Sequence, residues 1–174
     1  MGLVEPGFWF LTSVMERTVH EVRVERATLN QVHTAYALVA EYYEALHVVA
    51  RETAGEFRDE YFGPDSGFWL AWFGSRLAGS IALREMSRGE AGEIKRMYVR
   101  PPFRGFGVAQ KLLAAAEAFA RVCGYQYIFL DSTDEMQAAV RLYDRNGYQR
   151  CDRYNANPQA TIFMRKHLKQ PTPG

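Results

Sequence analysis

Cysteine is scarce in this chain: there are two in 174 residues, Cys123 and Cys151. They match no metal-ligand spacing and are too few for a disulfide framework, so two free thiols in a reducing cytosol are expected. The four histidines, His20, His33, His47 and His167, are scattered and form no HExxH-type pair, so no metal site is expected. Net charge is nearly absent too, at +1 from 21 basic and 20 acidic residues. No global field would draw the chain onto nucleic acid or a membrane. Long apolar runs are missing as well. The stretch from Gly7 to Val14 is too short to span a bilayer, and it lacks the basic start and small-residue cleavage site of a signal peptide. Pro6 stands where a myristoylation motif needs Ser or Thr. The expectation is a cytoplasmic protein with no nucleic-acid and no membrane partner.

What is present is apolar and aromatic side chain: 48% hydrophobic and 14% aromatic residues, enough for one packed core. There is no internal repeat and no low-complexity linker. The organisation expected is an N-terminal extension over 1–19, one domain over 20–169 and a loose proline-containing tail over 170–174. "HEVRVERA" alternates like a strand, and Thr28 or Asn30 can cap a helix through Gln31 to Ala50. "ETAGEFRDEYF" reads as a second helix. "GFWLAWF", "LAGSIALREM" and "EIKRMYVR" read as a meander of three strands. Ala109, Leu112, Leu113, Ala116, Phe119 and Ala120 recur at helical spacing, and Gly124 suits the end of that helix. "YQYIFLDS" follows as a buried strand, then a helix in "DEMQAAVRLYDRNGY", then strands in "YQRCDRY" and "ATIFMRK". The central strand–helix–strand unit demands a parallel pair with a right-handed crossover. The fold class is therefore mixed α/β (α+β), with six to seven mostly antiparallel strands, a central β-α-β unit and about four helices.

Between the third meander strand and the amphipathic helix lies Arg104-Gly105-Phe106-Gly107-Val108-Ala109. Glycines there free the backbone to turn, and a helix start offers unpaired N–H groups to an anion. A phosphate or diphosphate is the natural guest; a turn with a purely structural role is the alternative. No Gly-Lys-Ser/Thr follows, so this is not a Walker A loop. Gln110 replaces the third glycine of a dinucleotide fingerprint.

The stretch "EIKRMYVRPPFRGFGVAQKLL" resembles the GNAT superfamily of acyl-CoA-dependent N-acyltransferases. That family's signature of Arg or Gln, two residues, Gly, one residue, then Gly or Ala is met by Arg104, Gly107 and Ala109. "AVRLYDRNGY", Ala139 to Tyr148, resembles the family's next conserved stretch, in which a helical Tyr precedes a Gly-aromatic pair. The resemblance covers the chain from about residue 20 to residue 168. It implies acetyl-CoA as co-substrate, no metal, and a diphosphate held by the amides of Arg104, Gly105, Phe106, Gly107, Val108 and Ala109. It also implies a pantetheine arm paired with the main chain around Met97, Tyr98 and Val99.

By the same resemblance Tyr143 lies near the CoA sulfur and can protonate it, so it belongs to both the catalytic and the cofactor-binding sets. Acyl transfer to an amine also needs oxyanion stabilisation, for which a backbone N–H near Val99 is available, and an acceptor for the amine proton. Glu93, which begins the strand toward the thioester, is the first candidate for that base; Tyr98, Asp131 and Thr133 stand behind it. Strict alternation puts Glu93, Lys95, Met97 and Val99 on one face and Ile94, Arg96 and Tyr98 on the other. One departure is Met136, where many members carry an Asn.

The first helices, which cover the acceptor in this family, carry Glu41, Tyr42, Tyr43, Glu44, Asp59, Glu60 and Tyr61. Such a set suits a cationic amine if it faces the pocket, and is a solvated helix face if it does not. "RYNANPQATIFM" is expected to shape the far wall. The leading expectation is an N-acetyltransferase acting on the primary amine of a small molecule, through direct attack in a ternary complex. The alternatives are a protein lysine or N-terminal acetyltransferase and a non-catalytic CoA-binding module. Dimerisation is frequent in the family, so a homodimer is also among the expectations.

Overall fold

The inner strands carry buried residues in succession, so both of their faces are apolar, and each helix carries one apolar stripe to cover a face of the single sheet. The computed structural model describes residues 21–87 and 89–168. The extension 1–19 and the tail 170–174 expected from the sequence lie outside the described residues. In chain order the elements are β1 (Val22–Arg26), α1 (Val32–Ala45), α2 (Ala54–Tyr61), β2 (Gly67–Phe73), β3 (Arg76–Ser87), β4 (Ala91–Val99), α3 (Val108–Val122), β5 (Tyr127–Ser132), α4 (Gln137–Arg145), β6 (Gln149–Arg150) and β7 (Ile162–His167). The sheet has seven strands in the order β1-β2-β3-β4-β5-β7-β6. Among the described strands β4 and β5 run parallel, joined by α3, and the other pairs are antiparallel. The mixed, mostly antiparallel α/β class and the four α-helices match the expectation.

One face is buried under α3, whose Leu112, Leu113, Ala116 and Ala120 pack with Leu83, Ile94, Ile128, Leu130 and Met164 of the sheet. The other is buried under α1 and α2, where Leu38, Val39, Phe57 and Tyr61 meet Phe68, Leu70, Ala82 and Tyr98.

Two elements are shorter than the sequence suggests. The α1 helix stops at Ala45 rather than Ala50. His47 takes a left-handed φ of 50°, and the N–H groups of His47 and Val48 turn back to the carbonyls of Glu44 and Tyr43. That is a Schellman-type closure, which satisfies the last carbonyls before Val48 and Val49 could extend the helix. The strand expected in "YQRCDRY" pairs with β7 only at Gln149 and Arg150. Beyond the Cys151 N–H to Phe163 O bond the chain turns across the sheet, because Tyr154 packs on Phe129 and Phe163 at ring distances of 5.1 and 5.6 Å.

Candidate active site

Parallel pairing of β4 with β5 runs from Ala91↔Tyr127 to Ile94↔Leu130 and ends there. From Lys95 to Val99, β4 therefore has no strand on its β5 side among the described residues, and its backbone edge there is available to an extended ligand. On its other side the β3 register jumps from Ala82↔Lys95 to Ser80↔Tyr98. This is a bulge: Arg96 sits at φ 54°, and the Ser80 hydroxyl donates to the Arg96 carbonyl at 3.2 Å. The extra residue reverses the alternation beyond it. Tyr98 joins the α1 side of the sheet, while Met97 and Val99 pack on the α3 side. Strict alternation from the sequence had grouped Tyr98 with Ile94, and the bulge overturns that grouping.

After β4, Pro101–Phe103 forms a short 3₁₀ turn, and Gly105 and Gly107 follow at φ 83° and 77°. A Cβ added at either glycine would meet nothing within 4 Å. Glycine is required there by backbone conformation, and the space above the turn is open. Lys111 N–H to Gly107 O is the first bond of the α3 ladder. The N–H groups of Val108, Ala109 and Gln110 thus precede it at the positive end of a helix of 15 residues.

A cavity of about 610 Å³ lies over this turn, lined by Met97, Tyr98, Val99, Phe103, Arg104, Gly105, Gly107, Val108 and Ala109 and closed by α4 through Ala139, Leu142 and Arg145. Of the residues expected to hold a cofactor, Phe106 stands apart: it is 58% exposed and packs on Phe73 at 5.1 Å. The Arg104 Nε donates to the Val99 carbonyl at 3.0 Å, tying the turn to the strand end.

A second cavity, of about 910 Å³, adjoins the first, and Met97, Glu135, Met136 and Leu46 line both. Tyr143 lines this second cavity. Its ring rests edge-on against Tyr148 at 5.6 Å. Burial raises the pKa of its hydroxyl above the ordinary 10.0, and the nearby Tyr42 and Asp131 push the same way, so it holds its proton at neutral pH.

The floor of the second cavity is an ionic network that composition could not reveal. Arg84 bridges Glu60 and Glu93. Lys95 lies 2.8 Å from Glu93 and 3.0 Å from Asp131. The Tyr154 hydroxyl and the Asn155 amide donate to Glu93 at 2.9 and 3.1 Å, and the Asn155 and Asn157 amides donate to Asp131 at 2.7 and 3.1 Å. Glu93 is 1% exposed and does not line either cavity, whereas Arg84, Lys95, Arg96 and Asp131 line the second. Burial opposes ionisation of Asp131, but Lys95 and the two amides outweigh it and hold the carboxyl below its ordinary 3.8.

The α1 and α2 acids do not face the cavity. Glu41 pairs with Arg100, Glu44 with Arg51, Asp59 with Arg58 and Glu60 with Arg84; of that set only Tyr42 and Tyr61 are in its wall. The segment expected to form the far wall does so through Ala156, Asn157, Pro158, Gln159, Ala160 and Thr161. The sequence reading missed Arg84 and Arg96, whose positions depend on strand register and on the bulge. Among the described residues no cluster of His, Cys, Asp and Glu suits a metal ion, and no helix is long and apolar enough to cross a membrane.

An open β4 edge, a glycine turn ahead of α3 and a tyrosine on α4 are the parts of an acyltransferase cleft, and comparison with known proteins agrees. The acetyltransferase (GNAT) family model matches residues 32–148, more than half of the chain, and the chain belongs to that family. It is an acetyl-CoA-dependent acyltransferase. The uncharacterized N-acetyltransferase YjgM of Escherichia coli is 27% identical over 126 residues, covering 71% of this chain and 74% of the relative. A GNAT-family acetyltransferase from Staphylococcus aureus superposes with a TM-score of 0.73 at 16% identity, over 86% of this chain and 100% of that one. N-acetylglutamate synthase from Neisseria gonorrhoeae, solved with coenzyme A and L-arginine, superposes with a TM-score of 0.64 at 20% identity, over 86% of this chain and 34% of that one.

Proposed function

We propose that this chain transfers an acetyl group from acetyl-CoA to the primary amine of a small molecule, by direct attack in a ternary complex. The observation that carries the reading is the junction of the two cavities at Met97 and Met136, with the glycine turn on one side and Tyr143 on the other. The residues present fit the co-substrate: two left-handed glycines with open space above them and an apolar wall of Met97, Val99, Phe103 and Leu142. Bound acetyl-CoA supplies an acyl group activated as a thioester. The N–H groups of Val108, Ala109 and Gln110 hold negative charge at the helix start, and the free edge of β4 at Met97 to Val99 aligns the extended arm.

As the amine nitrogen bonds to the acyl carbon and the C–S bond breaks, Tyr143 gives its proton to the departing sulfur and regains one from solvent. Glu93 is the proposed acceptor of the amine's proton. Because Glu93 stands behind Lys95 and Arg84, which carry no acceptor, the proton reaches it through water. A cytoplasmic location fits the two free thiols.

The test is calorimetric titration of acetyl-CoA into the protein, with ATP as control, followed by thiol release with a panel of amines. Micromolar binding of acetyl-CoA that is lost in Gly107→Glu, together with amine-dependent release, is expected. No binding of acetyl-CoA or of any longer acyl-CoA overturns the reading.

A further inference from the structure

We propose that the acceptor is an α-amino acid whose carboxylate is held by Arg96, which makes Arg96 the specificity residue of the second cavity. This rests on the function proposed above and names its substrate class.

Arg96 occupies a left-handed backbone conformation, φ 54°, that a long side chain takes only under constraint. The constraint is the bulge, and its effect is to bring the guanidinium into the cavity wall beside Met97, the residue that lines both cavities. Glu52 holds the guanidinium from behind: Nε donates to one carboxylate oxygen at 3.0 Å and Nη2 to the other. Glu52 itself does not line the cavity. The rings of Tyr42 and Tyr43 flank the guanidinium at 5.9 and 5.2 Å. The group is thus fixed in plane and orientation. A guanidinium has five N–H donors. Two go to Glu52, which leaves donors for a ligand in the cavity that Arg96 lines. A planar, fixed fork with spare donors is the usual receptor for a carboxylate.

The neighbouring groups set the rest of the acceptor. Lys95 is spent on Glu93 and Asp131. The acids of α1 and α2 are turned away onto arginines. Glu135, beside Met136, remains in the wall where the cavities meet, with Asp134 in the wall of the second, and they suit an ammonium on arrival. Arg96 lines the second cavity together with Met97, the residue shared with the first, so the acceptor needs a carboxylate for Arg96 and an amine close beside it, and the smallest molecule that carries both groups holds them on one carbon. That is an α-amino acid.

The experiment compares common α-amino acids with their decarboxylated amines and carboxamides, by thiol release at saturating acetyl-CoA and by calorimetry on the protein–CoA complex. An amino acid is expected to exceed its own amine by about 100-fold or more in kcat/KM, as when a buried donor loses its partner. Arg96→Gln should reduce kcat/KM for the amino acid about 100-fold and bring the ratio of amino acid to amine toward one. Arg96→Lys should fall between, because an ammonium keeps the charge and loses the fork. Removing Arg96 leaves Glu52 unpaired, so the wild-type comparison of amino acid with amine stands as the arm that needs no variant. Amines and carboxamides used as well as amino acids overturn the inference, and so does the absence of amino-acid binding by a complex that does bind CoA. Failure to bind acetyl-CoA strikes instead at the function proposed for the site.

Discussion

Lys95 and Asp131 face each other at the first step beyond the last paired residues of β4 and β5, with the Lys95 Nζ 3.0 Å from both carboxylate oxygens. The backbone ladder ends at Ile94↔Leu130, and this side-chain pair closes the apex of the gap in which both cavities open. Asp131→Asn should cost about 3 kcal/mol at neutral pH, the low end for removing one partner of a buried ion pair. The folded carboxyl titrates below its ordinary value of 3.8, so its contribution is present above that pH and is lost as pH falls through the folded value. Urea unfolding from pH 7 downward should show the two proteins converging below about pH 3.8; a difference that stays constant would refute the assignment.

Tyr143→Phe removes the proposed proton donor and leaves the ring that packs on Tyr148. Turnover should fall about 10²-fold to 10³-fold, with acetyl-CoA affinity within about threefold of wild type. Steady-state kinetics beside calorimetry separate the two, and unchanged kcat rules out the acid role.

The same tyrosine makes an alkaline prediction. Burial raises the folded pKa of Tyr143 above the unfolded 10.0, so the stability it contributes is full below pH 10 and declines as pH rises beyond it. Activity should show no falling limb from this group below about pH 10. An alkaline limb near pH 8 that vanishes in Tyr143→Phe would contradict this.

Gly107→Ala tests the turn without adding charge. Its φ of 77° imposes about 1–2 kcal/mol of strain on any residue with a Cβ, although nothing nearby obstructs that carbon. Thermal unfolding should record that loss. Acetyl-CoA affinity should weaken further than the stability change alone explains, because the methyl group enters the space proposed for the diphosphate. Affinity equal to wild type would remove the turn from the binding site.

Glu93→Gln separates a proton acceptor from an organiser of the network. The amide keeps the size of the side chain but cannot balance Arg84 and Lys95. A base role predicts a kcat loss of about 100-fold or more with folding stability and acetyl-CoA affinity retained. A purely organising role predicts a stability loss that accounts for any loss of turnover.

The amino-acid sequence by itself determined the elements that rest on local chemistry. The periodic Leu and Ala residues of α3, the prolines that end β4, the glycines before α3 and the Asn146-Gly147 stop after Tyr143 each act within a few residues, so pattern suffices to read them. Glycine at 105 and 107 was legible because only glycine adopts those φ values without strain. Tertiary structure alone decided the ionic network beside the second cavity. Arg84 and Glu93 meet through the β3–β4 register, Lys95 and Asp131 through a parallel pairing bridged by α3, and Tyr154 reaches Glu93 across 61 residues. The bulge at Arg96 had no local signature, yet it reversed the faces of Met97 and Tyr98. A one-residue shift in a period-two strand exchanges inside for outside, and only the partner strand fixes where that shift falls.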